Sequence, residues 1–495
     1  MIRPLYPVLI AAALAASACG KAPAPAAPAT PSAPDKELPP APGPARGSTL
    51  PAPAERTLDN GLRVIVVPHG GTPLVTAEFD ILSGSEIDPP TRPGAAAFTA
   101  DLLTQGTKTR SAPQIAEAGE ALGIQLAASA DWDATRIGFT ATTPKTDAAL
   151  ALLADVVRNP VFADAEIERQ RAQALDSLSV ALKQPRSLAS LVAAKLEYGA
   201  APYGHSRAGT PSSLKQLKRA DLVLLHQTYY RPDNAVLIFA GDVDPETTFA
   251  LAEKVFGDWT KPEAPLAKPA ATDAPAASAT PRTIAIDVPG SGQAAVVAIS
   301  RVPNRTDPDY YSGLVTNAVL GGGYSARLNS EIRIKRGLSY GAGSRFQTLR
   351  DGGVLLAFAQ TKNESAAEVV GLMRSEIARL GHEPVPAPEL AARKANYIGN
   401  FSRELETTSG IAEQLATFVA EGISVNEINH TIPQADSIKA EQVQAYAAAH
   451  LMPNAIDIVV VGDAQKFREA LLKAVPDAAV IPFEKLDLDA PGITP

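Results

Sequence analysis

Residues 230–242 read YRPDNAVLIFAGD, and residues 451–463 read LMPNAIDIVVVGD. Both stretches contain a proline, an Asn-Ala pair, an apolar run and a closing Gly-Asp in the same order, about 220 residues apart. A continuous apolar run bounded by proline and glycine predicts a buried strand. Because self-similarity at a wide spacing indicates a repeated unit, the chain is predicted to contain two copies of one domain.

Two stretches rich in proline and alanine divide the chain around these copies. Residues 21–54 hold 11 Pro and 10 Ala in 34 positions, and residues 261–281 hold 5 Pro and 8 Ala in 21 positions. Such a composition cannot bury a core and favours an extended spacer or linker. The predicted organisation is a spacer over 19–54, an N-terminal domain over 55–260, a linker over 261–281, a C-terminal domain over 282–487 and a tail over 488–495.

Within each copy, predicted strands follow one another in runs, and so do predicted helices. Asn60-Gly61 is a tight-turn signal, and Ser111 with Gln114 begins a helix that Gly123 ends. Together with hydrophobic periodicity, these signals predict three strands and two further helices. The strands are Leu62–Val67, Gly123–Ala130 and Thr135–Thr142, and the helices lie near 146–158 and 164–183. The fold class is therefore predicted as α+β, with two homologous domains, each an antiparallel-rich sheet with helices packed on one face.

Composition excludes several classes of protein. The 495 residues carry 45 Lys+Arg against 53 Asp+Glu, a net charge of −8, which argues against nucleic-acid binding. Cys19 is the only cysteine, so disulfide frameworks, zinc ribbons and iron–sulfur clusters are excluded. None of the six histidines lies within a helical turn of another, so the usual paired-histidine metal site on a helix is missing.

The N-terminus has the pattern of a secretory signal. A basic residue is followed by the apolar run Val8–Ala16, which is too short to span a bilayer, and then by small residues before Cys19. This arrangement resembles a bacterial lipobox, although Ala16 stands where leucine is usual. The resemblance implies a signal peptide over 1–18, acylation of Cys19 and, because Gly20 follows, outer-membrane sorting facing the periplasm. The alternatives are plain secretion after cleavage at Ala18, or a buried structural thiol.

Several motifs, in order and spacing, resemble the pitrilysin/insulinase family of zinc peptidases, which includes the mitochondrial processing peptidase and two-domain bacterial members. The resemblance covers most of residues 55–487. The segments that carry it are Leu58–Val64, Gly84-Ser85, Gly94–Thr107, Pro202–Gly204, Gly209-Thr210, Tyr230–Pro232, Gly241-Asp242, Leu320–Gly323 and Arg333–Tyr340.

The family's zinc motif, His-x-x-Glu-His on a helix, is missing from its expected place. In the resemblance, Ala97 and Asp101 occupy the two histidine positions and Ala100 occupies the general-base position. The third ligand, a glutamate in the family, falls at or near Ser177 on a later helix. Alanine offers no lone pair, and one carboxylate cannot hold zinc, which takes three or more protein donors. The prediction is that this chain binds no cofactor; an active zinc peptidase by another route is the alternative.

The second domain retains the family's other functional element, an Arg and a Tyr seven residues apart after a glycine-rich turn. Here these residues are Arg333 and Tyr340, and Gly337 between them ends the helix. The resemblance implies that the pair binds the substrate backbone and the developing oxyanion, for which both side chains supply donors. Taken singly, the alternatives are a solvated helix charge and a half-buried strand aromatic.

Together these features resemble the non-catalytic subunit of a heterodimeric zinc endopeptidase. The implied partners are a zinc-bearing subunit of the same family and a peptide in extended conformation, with membrane contact only through the lipid anchor. Peptide capture is expected by strand addition to a sheet edge, supplied by Gly123–Ala130 or Gly353–Gln360. The alternative is a catalytically dead periplasmic peptide-binding or scaffolding lipoprotein, in which Arg333 and Tyr340 have no role.

Overall fold

The computed structural model describes residues 49–267, 282–452 and 456–493. These ranges contain twelve strands and sixteen α-helices. The strands are β1 (Ala54–Thr57), β2 (Arg63–Pro68), β3 (Leu74–Ile81), β4 (Ala127–Ala130), β5 (Thr135–Thr142), β6 (Ala235–Gly241), β7 (Thr283–Asp287), β8 (Ala294–Val302), β9 (Ser339–Leu349), β10 (Gly352–Thr361), β11 (Asp457–Gly462) and β12 (Ala479–Pro482). The helices are α1 (Ala95–Leu102), α2 (Ala112–Leu122), α3 (Thr146–Arg158), α4 (Asp164–Lys183), α5 (Pro185–Tyr198), α6 (Pro211–Gln216), α7 (Arg219–Tyr229), α8 (Pro245–Phe256), α9 (Tyr310–Leu320), α10 (Arg327–Asn329), α11 (Ala366–His382), α12 (Ala387–Glu404), α13 (Thr408–Ala420), α14 (Thr431–Ser437), α15 (Ala440–His450) and α16 (Arg468–Ala474).

The strands form two six-stranded sheets, one from each half of the chain. The first has the order β1-β2-β6-β3-β5-β4 and the second β12-β7-β11-β8-β10-β9. The pairing of β2 with β6 is parallel in the first sheet, and β11 and β12 each pair with β7 in parallel in the second. All other pairings are antiparallel, so the predicted α+β class with antiparallel-rich sheets is confirmed.

Local sequence signals place several helix boundaries where they were predicted. Ser111 and Gln114 form the expected capping box at the start of α2, with the Ser111 N–H donating to the Gln114 side chain at 2.9 Å. Gly123 ends the same helix in the left-handed conformation, with φ of +71°. The bounds of α3, α4 and β5 also agree with the prediction.

Each half covers its own sheet on one face and exchanges a helix to cover the other face. In the first sheet, alternate β3 residues such as Phe79 pack against the helices of the same half, whereas Ile65 and Ile238 pack against Leu415 and Phe418 of α13. In the second sheet the covering helix is α5 of the first half, whose apolar residues Leu188, Val192 and Leu196 pack on β8 and β11. The sequence predicted helices on one face of each sheet, and this is the face that each half covers with its own helices. The prediction did not include the other face, which a helix of the other half covers.

The two predicted peptide-binding edges have different outcomes. Strand β4 lies at the edge of the first sheet, but it begins at Ala127, because the Ile124 N–H completes the end of α2 by donating to Gly119 O at 2.9 Å. The predicted edge Gly353–Gln360 is wrong: it lies inside β10, which pairs with β8 and β9 on its two sides. The edge strand is β9, since only it terminates the second sheet on that side.

Some predictions lie outside the described residues. These are the signal peptide over 1–18, Cys19, nearly all of the 19–54 spacer, and the Pro453–Ala455 part of the second repeat copy. Within the described ranges, none of the helices combines the length and the hydropathy that a bilayer crossing requires.

Candidate functional site

Helix α1 holds the positions that correspond to the zinc motif. Gly94 precedes it with φ of +89°, and the Asp88 carboxylate caps it by accepting from the Gly94 and Ala96 N–H groups, both at 2.7 Å. Ala100 is fully buried, and Ala97 packs against the same core. The helix therefore keeps the packing of a supporting element while presenting methyl groups at two of the three motif positions.

The remaining donors around α1 do not form a metal site. Desolvation by the surrounding protein raises the pKa of the Asp101 carboxyl, and Ser177 on α4 is exposed and offers only a hydroxyl. The guanidinium of Arg171 on α4 lies 5.8 Å from the Phe98 ring of α1, which adds positive charge to this interface. In the portion of the chain that the structure describes, no three His, Cys, Asp or Glu side chains are grouped to bind a metal ion. These residues do not fit the zinc ion that the resemblance implies for this position.

The turn that carries Arg333 has a defined local structure. The helix begins at Arg327 and widens to a π-helical turn over Ser330–Ile334. Gly337 ends it with φ of +63°, its N–H donating to Arg333 O at 2.9 Å. The chain then enters β9 at Ser339, so Tyr340 is the second residue of the strand.

Arg333 lies between two tyrosine rings. Its guanidinium carbon is 4.9 Å from the centroid of the Tyr340 ring and 5.0 Å from that of the Tyr324 ring. Such cation–π contacts are worth about 0.5–1 kcal/mol each at exposed sites, enough to orient a long side chain. Tyr340 is 90% exposed and Tyr324 67% exposed, so both rings face solvent rather than a core.

The charge of Arg333 is not neutralised by the carboxylate on its own turn. Glu331 instead pairs with Lys335 and with Arg336, the latter at 2.5 Å, and these contacts lower the pKa of Glu331. Among the described residues, the guanidinium of Arg333 forms neither an ion pair nor a hydrogen bond. Its donors are therefore available to an incoming acceptor.

The pair opens onto a cleft of about 470 Å³. Its wall includes the glycine-rich turn Gly321–Gly323 and residues 340–344 of β9, where backbone groups come close to the surface. Across the cleft, Arg186 of α5 lies over the Phe358 ring of β10 at 4.1 Å. The arrangement combines two cations with three aromatic rings, a surface that suits a backbone carbonyl or an oxyanion with neighbouring apolar groups.

Sequence reasoning did not identify two of these residues. Tyr324 follows the glycine-rich turn directly, and that position was a usable signal for an aromatic beside the site. Arg186 lies in the first half of the chain and reaches the second-half site only because α5 packs on the second sheet. No local pattern around Arg186 indicates this.

Two family models and several curated proteins match the sequence of this chain. A family model described as insulinase (peptidase family M16) matches residues 63–210, and one described as peptidase M16 inactive domain matches residues 216–397. An uncharacterized zinc protease from Mycobacterium bovis is 28% identical over 421 residues, which cover 85% of this chain and 95% of the relative. Another from Bacillus subtilis is 24% identical over 355 residues, covering 71% and 84% respectively.

Solved structures show the same architecture. A crystal structure described as a peptidase M16 inactive domain from Pseudomonas fluorescens superimposes with a TM-score of 0.75 at 27% identity, covering 83% of this chain and 98% of the other. A protease from Helicobacter pylori superimposes with a TM-score of 0.80, covering 84% and 100%; at 22% identity this likeness concerns the fold alone.

Proposed function

Because the chain belongs to the peptidase M16 (insulinase) family, we propose that it is the non-catalytic subunit of a heterodimeric zinc endopeptidase. In this proposal a zinc-bearing subunit of the same family supplies the metal and the general base. This chain supplies Arg333 and Tyr340 to the substrate and to the charge that develops during peptide hydrolysis.

The proposal rests on the contrast between two half-sites in one chain. One half-site is the set of zinc-motif positions on α1, and the other is the Arg333–Tyr340 pair. Helix α1 presents Ala97 and Asp101 at the two metal-ligand positions and Ala100 at the general-base position, where zinc chemistry needs two strong donors and a base. By comparison, Tyr340 is exposed and Arg333 is partly exposed, the Arg333 side chain has no ion-pair partner among the described residues, and the pair lies beside an open cleft. A family member with one half-site and not the other needs a partner for catalysis.

The chemistry follows from the donors that the pair offers. Arg333 is charged at every physiological pH, and the Tyr340 phenol adds a neutral O–H donor. Donors aimed at a developing oxyanion stabilise the transition state more than the ground state, because the charge is present only in the former. Zinc in the partner would polarise the scissile carbonyl and activate water.

We also propose that the protein is anchored in the outer membrane. A signal peptide over residues 1–18 and acylation at Cys19 would tether the enzyme to the outer membrane, facing the periplasm, through a proline- and alanine-rich spacer. Mass spectrometry of the chain from membranes tests this, because a diacylglyceryl mass on a peptide that begins at Cys19 is the expected result.

The decisive experiment measures metal content and activity together. The purified chain is expected to hold well below one equivalent of zinc by elemental analysis and to cleave no peptide by itself. Mixing it with a zinc-bearing family member from the same organism should produce cleavage that a chelator abolishes. Stoichiometric zinc, or chelator-sensitive cleavage by the isolated chain, would refute the proposal.

The same experiment identifies the alternative. If the mixture forms a complex without gaining activity, and substitution of Arg333 or Tyr340 changes nothing, the chain acts as a scaffold or peptide-binding protein. The exposed Tyr324 and Tyr340 rings would then contribute binding area rather than catalysis.

A further inference from the structure

A second cleft, larger than the one beside Arg333, lies between segments of the two halves. It encloses about 640 Å³ and is lined by the β4–β5 turn, residues 345–349 of β9, the C-terminal part of α12, the polar side of α13, and Arg305. We call it the Arg305 cleft. None of the residues that form the Arg333 half-site lines it.

Arg305 is a buried cation without a hydrogen-bond acceptor. Its side chain is 8% exposed, its Nε is buried without a partner, and no described residue accepts a hydrogen bond from the guanidinium. The group is held between two rings, with its central carbon 4.2 Å from the Phe418 centroid and 4.7 Å from the Tyr310 centroid. Both contacts hold the guanidinium plane in place but use none of its five donors.

Of the carboxylates that line the cleft (Asp131, Asp133, Glu404 and Glu421), only Glu421 comes within 4 Å of the Arg305 guanidinium, and it does not satisfy this cation. Glu421 Oε2 lies 3.8 Å from Arg305 Nη1, beyond hydrogen-bond distance, and is itself buried without a hydrogen-bond partner, whereas Oε1 accepts from the Thr348 hydroxyl at 2.6 Å. Burial favours the neutral form of Glu421 and raises its pKa, although Arg305 opposes the shift. A buried guanidinium with unused donors is costly, and a carboxylate, which an extended peptide can supply, matches its planar fork bidentately.

Strand β9, which lines the same cleft, offers unpaired backbone groups. In β9 the Ser344 N–H points away from β10 and donates to Gly321 O at 3.1 Å. Strand hydrogen bonds alternate in direction, so the N–H and C=O groups of Phe346 and Thr348 point to the same outer edge. No described residue pairs with that edge at these two positions. Such an edge can accept an added strand.

We propose that the Arg305 cleft binds an extended peptide segment that carries a carboxylate, the carboxylate pairing with Arg305 and the backbone pairing with Phe346 and Thr348. The carboxylate can come from the peptide's C-terminus or from an Asp or Glu side chain. This site is independent of the proposed role of Arg333 and Tyr340, since a scaffold and a peptidase subunit could both use it.

The test compares three probes on the wild-type full chain. They are one N-acetylated octapeptide of Ala, Val and Thr with a free C-terminal carboxylate, the same peptide as its C-terminal amide, and the amide with one central Glu. Trp132 lines the cleft, whereas Trp259 packs against Phe79 and Phe256 in the first-half core, so tryptophan fluorescence reports binding alongside calorimetry.

A peptide with a carboxylate is expected to bind at least about tenfold more tightly than the uncharged amide, as a charge-assisted hydrogen-bonded pair implies. Preference for the free acid alone identifies a C-terminal carboxylate, and preference for the Glu amide alone identifies a side chain. Equal affinity for all three peptides, or no binding of any, overturns the proposal.

Variants locate the site. Arg305→Gln should abolish the preference for the carboxylate, and Arg305→Lys, which keeps the charge but loses the planar fork, should weaken it. Arg336→Gln is the matched control, because Arg336 lies on the exposed turn beside Glu331 and should leave binding unchanged. Circular dichroism checks that each variant folds; if Arg305→Gln does not fold, Arg305→Lys and the three peptides still decide the outcome. An unchanged carboxylate preference in a folded Arg305→Gln chain refutes the assignment.

Discussion

The Arg333 guanidinium lies 4.9 Å from the Tyr340 ring, although one residue belongs to the end of a helix and the other to the start of a strand. Gly337 makes this contact possible, because its positive φ reverses the chain between them. The contact holds a long side chain that has no ion pair among the described residues. The two donors are thus positioned before a substrate arrives, which lowers the entropy lost on binding.

We predict that Arg333→Ala removes most of the peptidase activity that the chain confers on a zinc-bearing partner. Loss of one oxyanion donor typically costs about 100-fold or more in kcat. Tyr340→Phe keeps the ring against Arg333 and removes only the hydroxyl, so it should lower kcat with a smaller change in KM. Steady-state kinetics on the reconstituted complex measures both.

Arg336→Ala serves as the control for these variants, since Arg336 is exposed and paired with Glu331. It should retain activity within about twofold, as expected of a surface substitution. Equal losses for Arg333→Ala and Arg336→Ala would mean that the turn, rather than the Arg333 donors, matters.

Stability should fall as pH rises from 5 to 8 because of Glu86. This residue is 4% exposed, and burial together with Asp133 raises its pKa to about 8, against the opposing effect of Arg350. A carboxyl with a raised folded-state pKa stabilises the fold below its unfolded pKa of 4.5, and this contribution is lost as pH rises toward 8. The slope is about 1.4 kcal/mol per pH unit for one proton.

Glu86→Gln keeps the neutral shape, so its free energy of unfolding should depend less on pH over this range in denaturant titrations. Glu120→Gln, at an exposed helix position, should retain the wild-type slope. If the two variants have the same pH dependence, Glu86 is not the group responsible.

Two glycine substitutions should change the free energy of unfolding in opposite directions. Gly94→Ala places a methyl group 2.6 Å from the Gly209 backbone at φ of +89°, so we expect a loss of at least ~2 kcal/mol in the free energy of unfolding. Gly371→Ala, on the exposed side of α11 with no atom within 4 Å, should gain about 0.5–1 kcal/mol. Thermal melts of the two variants give the signs directly, and a stabilising Gly94→Ala would contradict the close packing of α1 on residue 209.

The exchanged helix α5 should contribute strongly to stability. Leu188 is fully buried against the second sheet, so Leu188→Ala is expected to cost about 2–5 kcal/mol. Leu224 on α7 is 65% exposed, and Leu224→Ala should change stability by less than about 0.5 kcal/mol. Chemical denaturation compares them; similar small effects would mean that α5 is only loosely attached.

Much of the local structure could be predicted from the sequence, because its causes are local. The capping box at Ser111, the turn at Gly337 and the period of α3 and α4 depend on residues within a few positions of each other. The relation between the halves was legible from the repeat, since the same Pro, Asn-Ala and Gly-Asp signals surround β6 and β11.

The edge strand of the second sheet was predicted wrongly because the neighbours of a strand are not determined by local sequence. Gly353–Gln360 and β9 have similar strand patterns, and periodicity indicates which face of a strand is buried but not which strand is its neighbour. Only the pairing of β10 with both β8 and β9 leaves β9 at the edge. The same reason explains why Arg186 was missed.

By itself, the sequence determined the repeat, the α+β class, the family resemblance and the side chains at positions 97, 100 and 101, since these depend on residue identity and short spacing. The tertiary structure decided the exchange of α5 and α13, the meeting of Arg186 with Phe358 and the burial of Arg305 between Tyr310 and Phe418. The physical reason is that an apolar stripe specifies that a helix must be buried, without specifying the surface that buries it. That choice depends on how all the covered faces fit together at once.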